Sequence, residues 1–156
     1  MKILFVCLGN ICRSPAADGV MKKLVKSRGL SAKYIIDSAG TAGYHSGDQP
    51  DSRMRAAGLG RGYTFDHISR QVKQSDFSNF DIIVAMDDSN YSDLMYNCPK
   101  EYQDKIHKMV EYCKKSKDSE VPDPYYSGLK GFQKVIDMLE DGCKNLLDQL
   151  ENAGDE

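Results

Sequence analysis

The sequence predicts an α/β fold: one three-layer domain with a parallel sheet and helices on both faces. Three observations predict it. Short apolar runs, residues 3–6 and 80–86 foremost, read as strands buried on both faces. Segments of helical period alternate with them. The first run ends in a Gly-bearing turn that leads straight into a helix, and ligands of such sheets bind beyond the carboxyl ends of the strands.

Ile3-Leu4-Phe5-Val6 is the first strand. A helix follows from about Ser14, with Pro15 near its first position, where a missing N–H costs nothing. Ala17, Val20, Met21, Leu24 and Val25 recur at helical spacing until Arg28-Gly29 ends the pattern. Tyr34-Ile35-Ile36 reads as a second strand, and the Gly- and Ser-rich stretch 38–49 as a loop. A short helix is expected over 52–59, a third strand over 80–86, a helix over 89–96 and a fourth strand over 106–112. Residues 114–128, charged and then Pro-rich, read as an exposed loop. Phe132, Val135, Ile136, Leu139, Cys143, Leu146, Leu147 and Leu150 form the apolar stripe of a last helix. The acidic tail, residues 151–156, is expected to fray, and the whole of 1–156 to form one domain.

Composition narrows the function classes. The chain has 156 residues, 40% hydrophobic and 28% charged, enough to bury a core without disulfides or metal. A formal net charge of −2 argues against nucleic-acid binding. Five cysteines are an odd number and include no C-x-x-C pair, which argues against a disulfide framework and a zinc knuckle and for a reducing, cytoplasmic setting. The first apolar run is too short for a signal peptide, and no stretch approaches the length of a membrane span.

The chemistry concentrates in Cys7-Leu8-Gly9-Asn10-Ile11-Cys12-Arg13-Ser14-Pro15, between the first strand and the first helix. Backbone N–H groups at a helix N-terminus lack helical partners, and the helix dipole favours negative charge there. A short loop curling through that turn makes a nest of donors for an oxyanion, contributed by Leu8, Gly9, Asn10, Ile11, Cys12 and Arg13. Gly9 removes side-chain bulk, and Asn10 tolerates a left-handed backbone. The same field, with Arg13, favours the Cys7 thiolate, a ready nucleophile. Arg13 can hold two phosphate oxygens with its planar fork, which lysine cannot do. A second loop, Val121-Pro122-Asp123-Pro124-Tyr125-Tyr126, stiffens the backbone of Asp123 with a proline on each side and offers a carboxylic acid to protonate a leaving group.

The nonapeptide resembles the signature of the low-molecular-weight protein tyrosine phosphatases nearly residue for residue. Asp37-Ser38-Ala39-Gly40, His67 with Arg70-Gln71, Met86-Asp87-Asp88-Ser89-Asn90 and Asp123-Pro124-Tyr125-Tyr126 follow in family order. The resemblance implies a four-stranded sheet in the order 2-1-3-4 with a phosphate-binding loop after strand 1. It implies hydrolysis of phosphotyrosine in proteins, and of small aryl phosphates, through a phosphocysteine on Cys7, with Asp123 as general acid and then base. Leu8, Tyr44, Tyr125 and Tyr126 then line the substrate, in a cleft too deep for phosphoserine. Asn10, Ser14, Ser38 and His67 support the loop, and Asp87 braces Arg13 or the Asp123 loop. Cys12 beside Cys7 suggests a reversible disulfide. Ser127 departs from the family, many of whose members go directly to Gly. No cofactor or metal is implied, and inorganic phosphate or another oxyanion, a phosphoprotein substrate and a monomer complete the expectation.

Three rivals share the loop. A thiol-relay arsenate reductase needs two further cysteines close together, whereas Cys98, Cys113 and Cys143 lie 15 and 30 residues apart. Protein-arginine phosphatases of this fold carry Thr where Ile11 stands. A non-catalytic phosphotyrosine-binding module has no need of Cys7, Arg13 and Asp123 together.

Overall fold

The computed structural model describes residues 1–154. Strands β1 (Lys2–Cys7), β2 (Ile35–Gly40), β3 (Ile82–Ala85) and β4 (Ile106–Lys108) form one parallel sheet in the order β2-β1-β3-β4. The helices are α1 (Arg13–Ser27), α2 (Ser52–Leu59), α3 (Gln74–Asn79), α4 (Asp88–Asn97) and α5 (Gly128–Gly154). Alternation along β1 divides the core. Ile3, Phe5 and Cys7 face a cluster built with α1, α2 and α5, while Leu4 and Val6 join Phe77 of α3 and Leu94 of α4. Both faces of β1 are therefore covered, which is why it reads as a continuous apolar run. The sheet order and the helices on both faces match the sequence expectation.

Four segments differ from it. β2 continues through Ser38, Ala39 and Gly40 instead of ending at Ile36, because its register with β1 runs to Cys7 opposite Gly40. Small residues fill this stretch because the neighbouring loop is close: a Cβ on Gly40 would lie 2.7 Å from the Leu8 carbonyl oxygen. β4 stops at Lys108, and Met109–Tyr112 turns as a 3₁₀ helix, Glu111 accepting the Lys108 N–H at 2.6 Å. α3 and a 3₁₀ turn at Lys100–Lys105 have no periodic signal; α3 buries one large apolar side chain, Phe77, and is started by Asp76 accepting the Lys73 N–H at 2.7 Å. α5 itself runs through Gly154, and Glu151 in its last turns pairs with Lys33 at 2.8 Å and accepts from the Tyr34 hydroxyl. Residues 155–156 lie outside the described part. Among the described residues no helix is long and apolar enough to cross a membrane.

Candidate active site

The turn from β1 into α1 has all its polar groups turned one way. The carbonyls of Cys7 and Leu8 accept from Thr41 and Ala42 N–H, that of Gly9 from Ser69 Oγ, and that of Ile11 from Asp51 N–H, at 2.8 to 3.0 Å. Among the described residues, no N–H from Leu8 to Cys12 has a protein acceptor. Buried or half-buried donors without partners are rare, and four such residues in succession, from Gly9 to Cys12, extend the exposed Leu8 N–H into an anion nest. Asn10 makes the curl possible, with φ of 58°. That left-handed backbone costs about 1–2 kcal/mol.

The Asn10 side chain, fully buried, offsets this cost. Its amide donates to Ser14 Oγ at 2.7 Å and to Ser38 Oγ at 3.0 Å, while Oδ1 accepts from Arg70 N–H at 3.0 Å and meets His67 Nε2 at 3.1 Å. All four of its hydrogen-bonding positions are used. Ser14 Oγ also lies 3.0 Å from Cys7 Sγ and 3.4 Å from the Ala39 carbonyl. Ser14 has one hydroxyl hydrogen and already accepts from Asn10, so the shorter contact directs it to the sulfur.

Behind this crosslink, Ser38 Oγ donates to Asp18 Oδ2 at 3.2 Å, and His67 Nδ1 stands 3.4 Å from Asp18 and 3.5 Å from Asp37. Burial pushes the Asp18 carboxyl up, with Lys22 at 2.8 Å and His67 pulling against it. Sequence spacing shows no ligand cluster, yet Asp18, Asp37 and His67 bring one donor atom each within 4.8 Å of one another. With His67 Nε2 on Asn10, the two carboxylates orient the imidazole.

Arg13 is 3% exposed. One Nη is 2.6 Å from Asp87 and donates to the Val121 carbonyl at 3.1 Å; the other is 3.7 Å from Asp123. Burial would depress the guanidinium, but Cys7, Asp87 and Asp123 outweigh it and hold it above its ordinary value. Asp87 also starts α4, accepting the Asn90 N–H at 2.7 Å. Burial pushes the Cys12 thiol above the usual range, helped by Asp51, Cys7 and Asp123.

The Asp123 loop is anchored at its root and open at its tip. Val121 N–H donates to the Met86 carbonyl at the end of β3, whereas the Asp123 side chain is half exposed and accepts the Tyr125 N–H at 3.1 Å. Tyr125 and Tyr126 meet edge to face with ring centres 4.9 Å apart. A cavity of about 340 Å³ is bounded by Cys7, Leu8, Gly9, Ile11, Cys12 and Arg13 on its floor and by Tyr44, His45, Asp123, Tyr125 and Tyr126 on its walls. Asn10, Ser14, Ser38, His67 and Asp87 lie behind that floor. A larger cavity, about 630 Å³, lies between α1 and residues 62–67 and shares no residue with the cleft.

Sequence reasoning assigned no role to His45, Arg53 or Asp18. His45 closes over Gly9, where a Cβ would stand 3.0 Å from its ring. Arg53 donates to the Tyr125 carbonyl at 2.8 Å, stacks on the Tyr125 ring at 5.0 Å and pairs with Asp51, whose N–H holds Ile11. The one local signal was Asp51 before the 52–59 helix, a normal N-cap.

An open parallel sheet with an oxyanion nest at its first βα turn, a cysteine beneath the nest and an arginine beside it, defines the class of cysteine-dependent phosphatases. Comparison with known proteins narrows the class. Residues 2–155 match the family model for low molecular weight phosphotyrosine protein phosphatase. A crystal structure of a protein tyrosine phosphatase from Entamoeba histolytica, with Hepes in its active site, superposes with a TM-score of 0.97 at 60% identity and covers 99% of both chains. A putative low molecular weight protein-tyrosine-phosphatase of Synechocystis is 50% identical over 96% of both chains. A Drosophila arginine phosphatase shares the fold at 32% identity, with a TM-score of 0.89, over 96% of this chain and 98% of its own. The chain belongs to the low molecular weight phosphotyrosine protein phosphatase family and is a hydrolase acting on protein phosphotyrosine.

Proposed function

We propose that Cys7, Arg13 and Asp123 carry the hydrolysis, and the row of unpartnered N–H groups over Cys7 is the observation that carries this reading. A phosphate dianion fits the nest with its oxygens on the N–H groups and on Arg13, which concentrates donors where charge spreads in the transition state. Cys7 Sγ attacks phosphorus as the bond to the tyrosyl oxygen breaks. Asp123, as the acid, delivers its proton to that oxygen. Asp123, now a carboxylate, takes a proton from water, and the resulting nucleophile breaks the S–P bond to release inorganic phosphate and the Cys7 thiolate. Ser14 donates to the sulfur throughout; Asn10, Ser38 and His67 hold the loop, and Asp87 holds Arg13.

Leu8, Ile11, Tyr44, Tyr125 and Tyr126 give the cleft aromatic and aliphatic walls suited to an aryl phosphate, and Ile11 with the paired tyrosines separates this cleft from that of an arginine phosphatase. The relay reading lacks support, since Cys98 sits in the α3–α4 core and Cys143 is buried on the face of α5 that meets α1, and neither lines the cleft. Peroxide would convert the Cys7 thiolate to a sulfenic acid; attack by Cys12 would then give a disulfide and water. On this reading the protein works as a cytoplasmic monomer, its five cysteines an odd number with no C-x-x-C pair, as suits a reducing setting. Hydrolysis of 4-nitrophenyl phosphate at about pH 5–6 tests the assignment. Cys7→Ser is expected to abolish turnover while still binding phosphate, and Asp123→Ala to slow leaving-group departure. Full activity in Cys7→Ser overturns it.

A further inference from the structure

The larger cavity has the makings of a second ligand site. Its walls are Pro15 and Gly19 of α1, the Tyr63 ring and the Gly62 backbone, and its floor is Asp18 and His67. A volume of about 630 Å³ is in the range that takes small organic ligands. Lys22, Lys23 and Lys26 stand along its α1 lip. Lys22 is neutralised by Asp18 at 2.8 Å. Among the described residues Lys23 has no carboxylate partner; its ammonium rests on the Gly62 carbonyl at 3.1 Å and 4.7 Å above the Tyr63 ring. Among the described residues Lys26 has no ion-pair partner. Against these two cations the lip carries one exposed carboxylate, Asp66.

We propose that this cavity binds a small aromatic monoanion, its ring against Pro15 and Gly19 of α1 and the edge of Tyr63, whose faces Phe65 and Lys23 cover, and its carboxylate, sulfonate or phosphate on Lys23 and Lys26. Such a group replaces the carbonyl contact of Lys23 with an ion pair. The floor of the cavity is also the back of the phosphate loop: His67 meets Asn10, and Asp18 meets Ser38, which meets Asn10 in turn. Pro15, on the wall, follows Ser14 directly. A ligand pressing on His67 or Asp18 shifts the crosslink that sets the curl over Cys7, so binding there alters turnover without competing with phosphate. Binding itself does not depend on the roles proposed for Cys7 and Asp123.

The test is a fluorescence titration of the full chain with 1-anilinonaphthalene-8-sulfonate, with and without saturating inorganic phosphate to fill the cleft. One saturable site is expected that still fills at saturating phosphate, its affinity shifted there by no more than the finite factor that coupling to the loop allows. Lys26→Glu, at an exposed position, should weaken it about tenfold, the equivalent of losing one charge-assisted contact, with basal turnover and melting temperature unchanged. The probe should change kcat for 4-nitrophenyl phosphate by about fivefold or more, and shift the inhibition constant of phosphate by a factor that levels off at saturating probe, as coupling and not competition requires. Complete displacement of the probe by phosphate, indifference to Lys26→Glu, or failure to saturate overturns the site. Saturable binding with kcat unchanged overturns its connection to the phosphate loop.

Discussion

Replacing Asp87 exposes how much of the fold is spent on holding Arg13. Asp87 does two things: one carboxylate oxygen pairs with Arg13 at 2.6 Å, and the other caps α4 through the Asn90 N–H at 2.7 Å. Removing one member of a buried pair costs about 3–5 kcal/mol, because the other charge stays in a poor solvent. Arg13 is 3% exposed, but Asp87 is 18% exposed and Arg13 keeps the Val121 carbonyl, which places the loss at the low end, about 3 kcal/mol. Asn can still cap a helix, so Asp87→Asn should show this loss alone, and Asp87→Ala about 1 kcal/mol more. At about 2–4 °C per kcal/mol for a chain of this size, the melting temperature should fall by about 6–12 °C in Asp87→Asn and further in Asp87→Ala. Bound phosphate supplies Arg13 with a new counter-charge. Thermal melts in saturating phosphate should therefore recover most of the Asp87→Asn loss, leaving Asp87→Ala about 1 kcal/mol behind. If Asp87→Asn melts with the parent in phosphate-free buffer, or if phosphate raises both proteins equally, the reasoning about Arg13 is wrong.

Asn10 allows a separation of backbone from side chain. Asn10→Gly tolerates φ of 58° and loses the four contacts, whereas Asn10→Ala loses the contacts and pays the left-handed cost, so chemical denaturation should find Ala about 1 kcal/mol below Gly; equal stabilities refute the account. Arg53→Ala should loosen the Asp123 loop through Tyr125 and lower kcat more for phenyl phosphate than for 4-nitrophenyl phosphate, whose leaving group needs less protonation; equal losses would remove Arg53 from the acid step. Asp141 resists the upward push of burial because the N–H groups of Lys115 and Lys114 and the Asn145 amide hold its carboxyl below the usual range. Such a group stabilises the fold above its unfolded pKa of about 3.9 and loses that effect as pH falls through the folded value. Asp141→Asn should thus cost about 1–3 kcal/mol at neutral pH and progressively less as the pH falls below the unfolded value; a cost that does not change over that range contradicts this.

Local features were legible where near neighbours set them. The run from Ile3 to Val6 declares a strand covered on both faces, and the α5 stripe declares its buried side from Phe132 to Leu147. Ser38-Ala39-Gly40 was misread as loop, since small residues signal turns unless something packs against them, and here the Leu8 carbonyl does. Residues 109–112 were misread as strand because Met109 and Tyr112 are buried against α5, an apolar pattern that a 3₁₀ turn satisfies as well. Arg53 and His45 carried no signal, because their partners, Tyr125 and Gly9, are distant in sequence.

By itself the sequence determined the sheet, the oxyanion loop and the residue types its chemistry needs, because strand burial, helix period and the φ of Asn10 depend on residues within a few positions. Only the tertiary structure decided which of them meet. Arg13 finds Asp87 across 74 positions, Asn10 finds His67 across 57, and Lys23 of α1 comes to lie over Tyr63. Such pairings follow from how the strands stack and the helices cross, and they act over a few ångströms of space, which spacing along the chain does not encode.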